Sequence, residues 1–237
     1  VRWLWSVICA LAFALHSPGG LVQASEGDPG ETSLTPGQFV SSEIEAPVLI
    51  EVPVFRLEVP FRTQKDGSRW QSSNCGPAAL GMVLDAYGLL GQASDDLRFR
   101  SHTYQGTVGS RTGTALQHIV QVAHDLGLPT TGLYQQSGQF NAWGMDDIRG
   151  QLRLGRPVMA LVRLYLLPGH EAAGARWGHY ILLTGLTEGG FFYSDPLKPD
   201  ASEGTARVIS ATQLERAMYA SLRPGQAVAF GGWDLPP

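Results

Sequence analysis

From the N-terminal region up to Arg156 the apolar positions recur mostly at helical spacing; from Val158 onward they mostly run in short strand-like blocks. Leu80, Val83, Leu84 and Tyr87 lie at i, i+3, i+4, i+7, which predicts a helix with one buried face, and Gly88 supplies its stop. A second helix is predicted over Leu116, Ile119, Val120, Ala123 and Leu126, opened by Thr114 and Gln117 at capping-box spacing and ended by Gly127. A short third helix fits Met145 to Leu154, with Ile148 and Leu152 inward, before Gly155-Arg156-Pro157 breaks it. Strands are then expected at Val158–Tyr165, Tyr180–Thr184, Gly190–Ser194 and Val208–Ile209. A helix capped by Ser210 and Gln213 and a closing strand at Gln226–Phe230 follow. Helices first and an antiparallel sheet afterwards make an α+β fold. The polar stretch Gly91–Thr112 carries no apolar stripe, and Asp95, Asp96, Arg98 and Arg100 read as a solvated surface.

The N-terminal part has a different texture. Arg2, the apolar run Trp3–Leu15 and the small residues of Val22-Gln23-Ala24 predict an export signal over 1–24, with an apolar run too short to span a bilayer comfortably and an uncleaved anchor as the rival reading. Residues 25–53 read as a Gly-, Ser-, Pro- and Glu-containing linker passing into an extended arm. Val48 to Val59 alternate roughly with polar residues around Pro53, which favours an edge strand. The globular domain is expected over 54–231, with 232–237 as a tail. A hydrophobic content of 43% with net charge −4 and no Lys/Arg run excludes a nucleic-acid footprint and a polybasic membrane patch.

Two cysteines occur, Cys9 and Cys75. Cleavage after Ala24 removes Cys9 and leaves Cys75 without an intramolecular partner, which marks its thiol as a reactive candidate in an exported protein. Cys75 stands at or just before the first helix's N-terminus, with Pro77 tolerated in the first turn, so the backbone N–H groups there favour a thiolate. The alternative is a cysteine packed as a small hydrophobe. Trp70, just upstream, reads as a lid on the core.

A cysteine nucleophile needs an imidazole and a group to orient it. His16 lies in the signal, and His118 and His124 fall off the buried stripe of their helix. His102 has no evident support, and His170 sits in a Gly/Ala-rich loop that reads as mobile. His179 opens a strong strand. If 179–185 and 190–195 form a hairpin about Thr187–Gly190, His179 and Asp195 become opposite or diagonal neighbours on one face. Pro196 ends the strand and leaves the carboxylate at the rim. The second oxyanion donor, beside the Cys75 N–H, is Gln64 or Gln71; spacing does not choose. No His/Cys/Asp cluster has metal-ligand spacing, so no metal or other cofactor is expected.

Val59-Pro60-Phe61-Arg62-Thr63-Gln64, Asn74-Cys75-Gly76-Pro77-Ala78-Ala79-Leu80, Gly178-His179-Tyr180 and Ser194-Asp195-Pro196, in that order, resemble the papain-like cysteine peptidases of the bacteriocin-leader-processing group, family thirty-nine. The likeness runs from about Phe55 to Phe230 and is stronger to stand-alone exported members than to transporter-fused domains. It implies a papain-like fold, Cys75 as nucleophile, His179 as base and acid, Asp195 as its orienting partner, and Gln64 as oxyanion donor, with Gln71 as rival. A peptide or protein substrate and an exported location follow. The alternatives are acyl transfer or deamidation by the same residues, or a peptide-binding module with an unused site.

Overall fold

The computed structural model describes residues 54–173 and 177–231. The expected signal, the linker and most of the extended arm, and the tail lie outside them. Six α-helices and seven strands are described: β1 (Phe55–Arg56), α1 (Cys75–Ala86), α2 (Ser94–Gln105), α3 (Leu116–Asp125), β2 (Thr130–Thr131), α4 (Met145–Arg153), β3 (Val158–Arg163), β4 (Gly178–Leu186), β5 (Gly190–Ser194), α5 (Ala201–Gly204), β6 (Arg207–Ser210), α6 (Ala211–Tyr219) and β7 (Ala227–Phe230). The strands form one antiparallel sheet in the order β2-β7-β3-β4-β5-β6, with β1 added to the end of β4. The expected α+β layout is therefore present.

The period of two along each strand divides the apolar side chains between two cores. Met159, Tyr180, Leu182, Val228 and Phe230 face α1, α2 and α3. Val158, Ala160, Val162, Ile181, Leu183, Ala227 and Ala229 face α4 and α6. With both faces covered, β4 is buried along nearly its whole length, which is why Tyr180-Ile181-Leu182-Leu183 reads as a continuous apolar run. Gly185 is required where β1 joins: a Cβ there would stand 2.1 Å from the Phe55 carbonyl oxygen.

Several local expectations need correction. The stretch 94–105 is a helix, and its inward positions Ser94, Leu97, Arg98, Ser101 and His102 keep perfect helical spacing with mostly polar residues. Arg98 is 3% exposed, so it is no part of a solvated surface. The Thr114–Gln117 capping box is not made: α3 has Ala115 at its N-cap, and neither Thr114 Oγ1 nor Gln117 Oε1 has a hydrogen-bond partner. Ser210 does cap α6, accepting from the Gln213 backbone N–H. The first predicted sheet strand stops at Arg163, where Leu164–Leu166 tightens into a 3-10 turn.

Two contacts set the start of α1. Arg62 clamps Asp85 with both Nε and Nη2 at 2.5 Å and donates through Nη1 to the Gln92 carbonyl, fixing the segment before Cys75 against α1. Gly76 lets the first turn of α1 close onto the sheet and α3: a Cβ there would lie 2.6 Å from Ile119 Cδ1 and 3.1 Å from the Tyr180 ring. Gly76→Ala is therefore expected to lower stability by about 1–3 kcal/mol through overpacking. Gly113→Ala, where nothing lies within 4 Å of the added carbon, is expected to change it by less than about 0.5 kcal/mol. Urea denaturation of the two variants checks the contrast.

Candidate active site

Cys75 is the first residue of α1, and its half-buried side chain faces a cleft of about 410 Å³ that Gln64, His179, Leu164, Trp177 and Arg111 also line. Asn74 occupies the N-cap without bonding the helix backbone through its side chain. Its Nδ2 donates to Asp95 Oδ1 at 2.8 Å, and its Oδ1 accepts from Arg98 Nη1 at 3.3 Å. Arg98 also donates to the carbonyls of Ser73 (3.2 Å), Ser110 (2.8 Å) and Thr112 (2.9 Å). One buried guanidinium thus ties α2, the residues preceding Cys75 and the 110–112 loop together. Trp70 lies under this guanidinium at 5.0 Å, with Arg69 at 4.6 Å, so it covers Arg98 and not the apolar core.

His179 is the second residue of β4, and Asp195 follows the last paired residue of β5. The register differs from the simplest hairpin reading. Leu182 faces Ser194 and Leu183 faces Tyr193, with a bulge between Leu183 and Gly185. The turn is thereby centred one residue later than expected, and Asp195 is His179's diagonal neighbour, not its opposite one. The side chains still meet: His179 Nε2 stands 2.8 Å from Asp195 Oδ1.

Asp195 is fully buried and its carboxyl is held far below the usual carboxylate range. Burial opposes that shift, and hydrogen bonds from His170 and His179, the His179 charge and the Leu197 N–H outweigh it. An ionised carboxylate only accepts, so Nε2 of His179 carries a proton and Nδ1 is the ring nitrogen left for the thiol. Cys75 and His179 are within hydrogen-bonding reach of each other. Burial pushes the Cys75 thiol up, but the His179 hydrogen bond and charge, with the backbone N–H groups of Tyr180 and Gly76, bring it below its ordinary value. Burial likewise disfavours the His179 cation, yet Asp195 and Cys75 raise its pKa to about 9. The pair is therefore poised as thiolate and imidazolium.

Gln64 is 2% exposed and borders the same cleft. Its backbone N–H donates to the Pro196 carbonyl at 2.7 Å, and its Nε2 donates to the Gln71 carbonyl at 2.8 Å. The Gln71 side chain is exposed and does not border the cleft. The structure thus brings together Cys75, His179, Asp195 and Gln64 and leaves Gln71 as a backbone support. Among the described residues no group of three or more His, Cys, Asp or Glu is placed to hold a metal ion.

The remaining histidines also find places. His118 and His124 border a separate groove of about 550 Å³ beside α3. His102 is buried, with Nδ1 at 3.0 Å from the Thr107 carbonyl oxygen. His170, expected in a mobile loop, is 9% exposed and places Nε2 at 2.7 Å from Asp195 Oδ2. It and Arg98 are the two residues of this region that sequence reasoning missed. The signal for Arg98 was the helical spacing of polar residues in 94–102; nothing local marked His170.

Comparison with known proteins gives this site a context. Residues 56–225 match the Peptidase_C39 like family. No curated protein matches the chain. Among solved structures, a putative C39-like peptidase from Bacillus anthracis is 16% identical with a TM-score of 0.52, covering 75% of this chain and 98% of that one. The peptidase domain of Streptococcus ComA is 20% identical with a TM-score of 0.49, covering 73% of this chain and 98% of the other. A double glycine motif protease from an AMS/PCAT transporter, solved with a leader peptide, is 16% identical with a TM-score of 0.42, covering 74% and 91%. The Bacillus anthracis likeness is one of fold, and the architecture is that of a papain-like cysteine peptidase. The family match spans most of the chain and encloses Gln64, Cys75, His179 and Asp195: the chain belongs to the Peptidase_C39 like family.

Proposed function

We propose that this protein is a cysteine peptidase that cleaves peptide bonds through a Cys75–His179–Asp195 triad and a thioester intermediate. The observation that carries the reading is the buried relay in which ionised Asp195 fixes Nε2 of His179 and turns Nδ1 toward the Cys75 thiol. The Cys75 thiolate attacks the scissile carbonyl carbon. The oxyanion is held by the Cys75 N–H and by the N–H of Gln64 that is not already given to the Gln71 carbonyl. The His179 imidazolium then protonates the leaving amine, and neutral His179 next draws a proton from the water that resolves the thioester. Asp195 stays ionised throughout and holds the ring. Export completes the reading: a signal over 1–24, a linker over 25–53 and a tail at 232–237 flank the catalytic domain, and loss of Cys9 leaves Cys75 as the solitary thiol. N-terminal sequencing of the exported protein, expected to begin at Ser25, checks this.

Three outcomes are expected. Iodoacetamide should alkylate Cys75 well below pH 8, and His179→Ala should remove that low-pH reactivity. Equal, slow labelling of both proteins would favour an unused site on the same fold.

Peptide hydrolysis should disappear in Cys75→Ala, and Gln64→Ala should lower kcat by about 10²–10³-fold. Gln71→Ala, which keeps the backbone carbonyl, should stay within about threefold. Steady-state kinetics on a peptide found by profiling a proteome-derived library measures all three, and a Gln71→Ala loss as large as that of Gln64→Ala would reverse the assignment.

The imidazolium of the free protein is present below pH 9 and lost above it, so the alkaline limb of kcat/KM should fall near pH 9. His179 is raised, so the stability it contributes is full below the ordinary histidine range and fades as pH rises through about 9. Asp195 is lowered, so its contribution holds above the ordinary carboxylate range and fades on acidification. Asp195→Asn removes the charge that holds the imidazolium, and its alkaline limb should move below pH 9. A limb unmoved by this change would count against the relay.

A further inference from the structure

The triad accounts for one oxygen of Asp195 and leaves the other to be explained. Oδ1 accepts from His179 Nε2 at 2.8 Å and from the Leu197 N–H at 2.9 Å. Oδ2 is met by His170 Nε2 at 2.7 Å. The carboxylate is ionised and accepts only, so His170 Nε2 carries a proton and donates it, whatever the state of its other nitrogen. Without a donor on Oδ2, the charge of this buried carboxylate would fall wholly on the His179 and Leu197 N–H groups.

His170 is itself held from several sides. Its N–H donates to the Leu167 carbonyl at 3.0 Å. Arg207 donates to the Pro168 carbonyl at 2.7 Å and to the Tyr193 hydroxyl at 3.0 Å. Gln213 of α6 donates to the Leu166 carbonyl at 3.2 Å. The same segment begins at Leu164, which borders the Cys75 cleft. The charged and titratable groups around His170 are Asp195 with His179 beyond it, Glu171 next in the chain, and Tyr193 with Arg207 from β5 and β6.

We propose that His170 is a positioning residue for the triad: its Nε2–H donated to Asp195 Oδ2 fixes the carboxylate that orients His179, and ties the cleft-wall segment 164–170 to the catalytic centre. This rests on the peptidase reading for its effect on turnover, but its effect on His179 stands apart from turnover. Removing the donor concentrates the Asp195 charge on His179, so the His179 pKa rises; loss of any positive charge on His170 acts in the same direction.

The test compares the wild type with His170→Ala and His170→Gln, the latter placing an amide N–H where Nε2 was. NMR titration of labelled histidine follows His179, and kcat and KM are read on a cleaved peptide. In His170→Ala the His179 pKa is expected to rise by about half a unit or more. Its kcat is expected to fall about tenfold with KM within about twofold. His170→Gln should recover most of both. A His179 titration that stays in place or falls in His170→Ala overturns the proposal. So does a His170→Gln protein as impaired as His170→Ala, because any purely structural role would then explain both. If His170→Ala does not fold, His170→Leu takes its place in the same comparison. If the wild type cleaves no peptide while His179 titrates as expected across the series, the peptidase reading fails and the positioning role holds.

Discussion

A carboxylate with no exposed surface, at the end of a five-residue strand, is the constraint on which the site depends. An isolated buried charge of this kind is too costly to persist unless donors replace its lost hydration. Asp195 has three, drawn from β4, from the 3-10-turn segment after β3, and from its own backbone two residues on. Each donor is on a different piece of chain, so satisfying the charge fixes three pieces at once. The polarised imidazole and the lowered thiol are consequences of that satisfaction, carried one step further toward α1.

The sheet makes this possible by separating two tasks. One face packs α1, α2 and α3; the other packs α4 and α6, and both faces are buried and apolar. His179 shares its strand parity with Ile181 and Leu183, while Tyr180 between them packs toward α1 beside Gly76. The imidazole stands on the second residue of β4, at the end of the sheet, where it reaches both Cys75 at the start of α1 and Asp195 after β5. Arg98 does for the Cys75 side what Asp195 does for the His179 side: a single buried ion holds separate pieces of chain in register, here by donating to the backbone carbonyls of Ser73, Ser110 and Thr112.

Much of this was legible in the chain. The α1 and α3 stripes and the glycines that end them stand where the sequence puts them, as do α4, the β3–β5 blocks and the Ser210 cap, because each follows from local periodicity or a local hydrogen bond. The His179–Asp195 encounter was readable from hairpin geometry, though only to within a diagonal step, since a bulge leaves no trace in spacing. The failures have separate causes. In α2 the inward positions have helical period but polar identity, so a search for apolar stripes passes over Ser94, Arg98, Ser101 and His102. Thr114 and Gln117 had the spacing of a cap, yet the helix began one residue too late to use it. His170 meets Asp195 across the whole β4–β5 hairpin, and contact through tertiary structure has no local signature.

The two sides of the site come from opposite ends of the domain. Gln64 and Cys75 precede the sheet's central strands, His179 belongs to β4 and Asp195 follows β5; the Gln64 N–H reaches its carbonyl partner only in the Pro196 segment. Until β4 and β5 have paired and α1 has docked on Tyr180, there is no Asp195 relay and no imidazolium beside the sulfur. A chain still assembling thus carries an ordinary, sluggish thiol. The lowered thiol is a property of the assembled domain, and Cys75 lacks it wherever these long-range contacts are unmade.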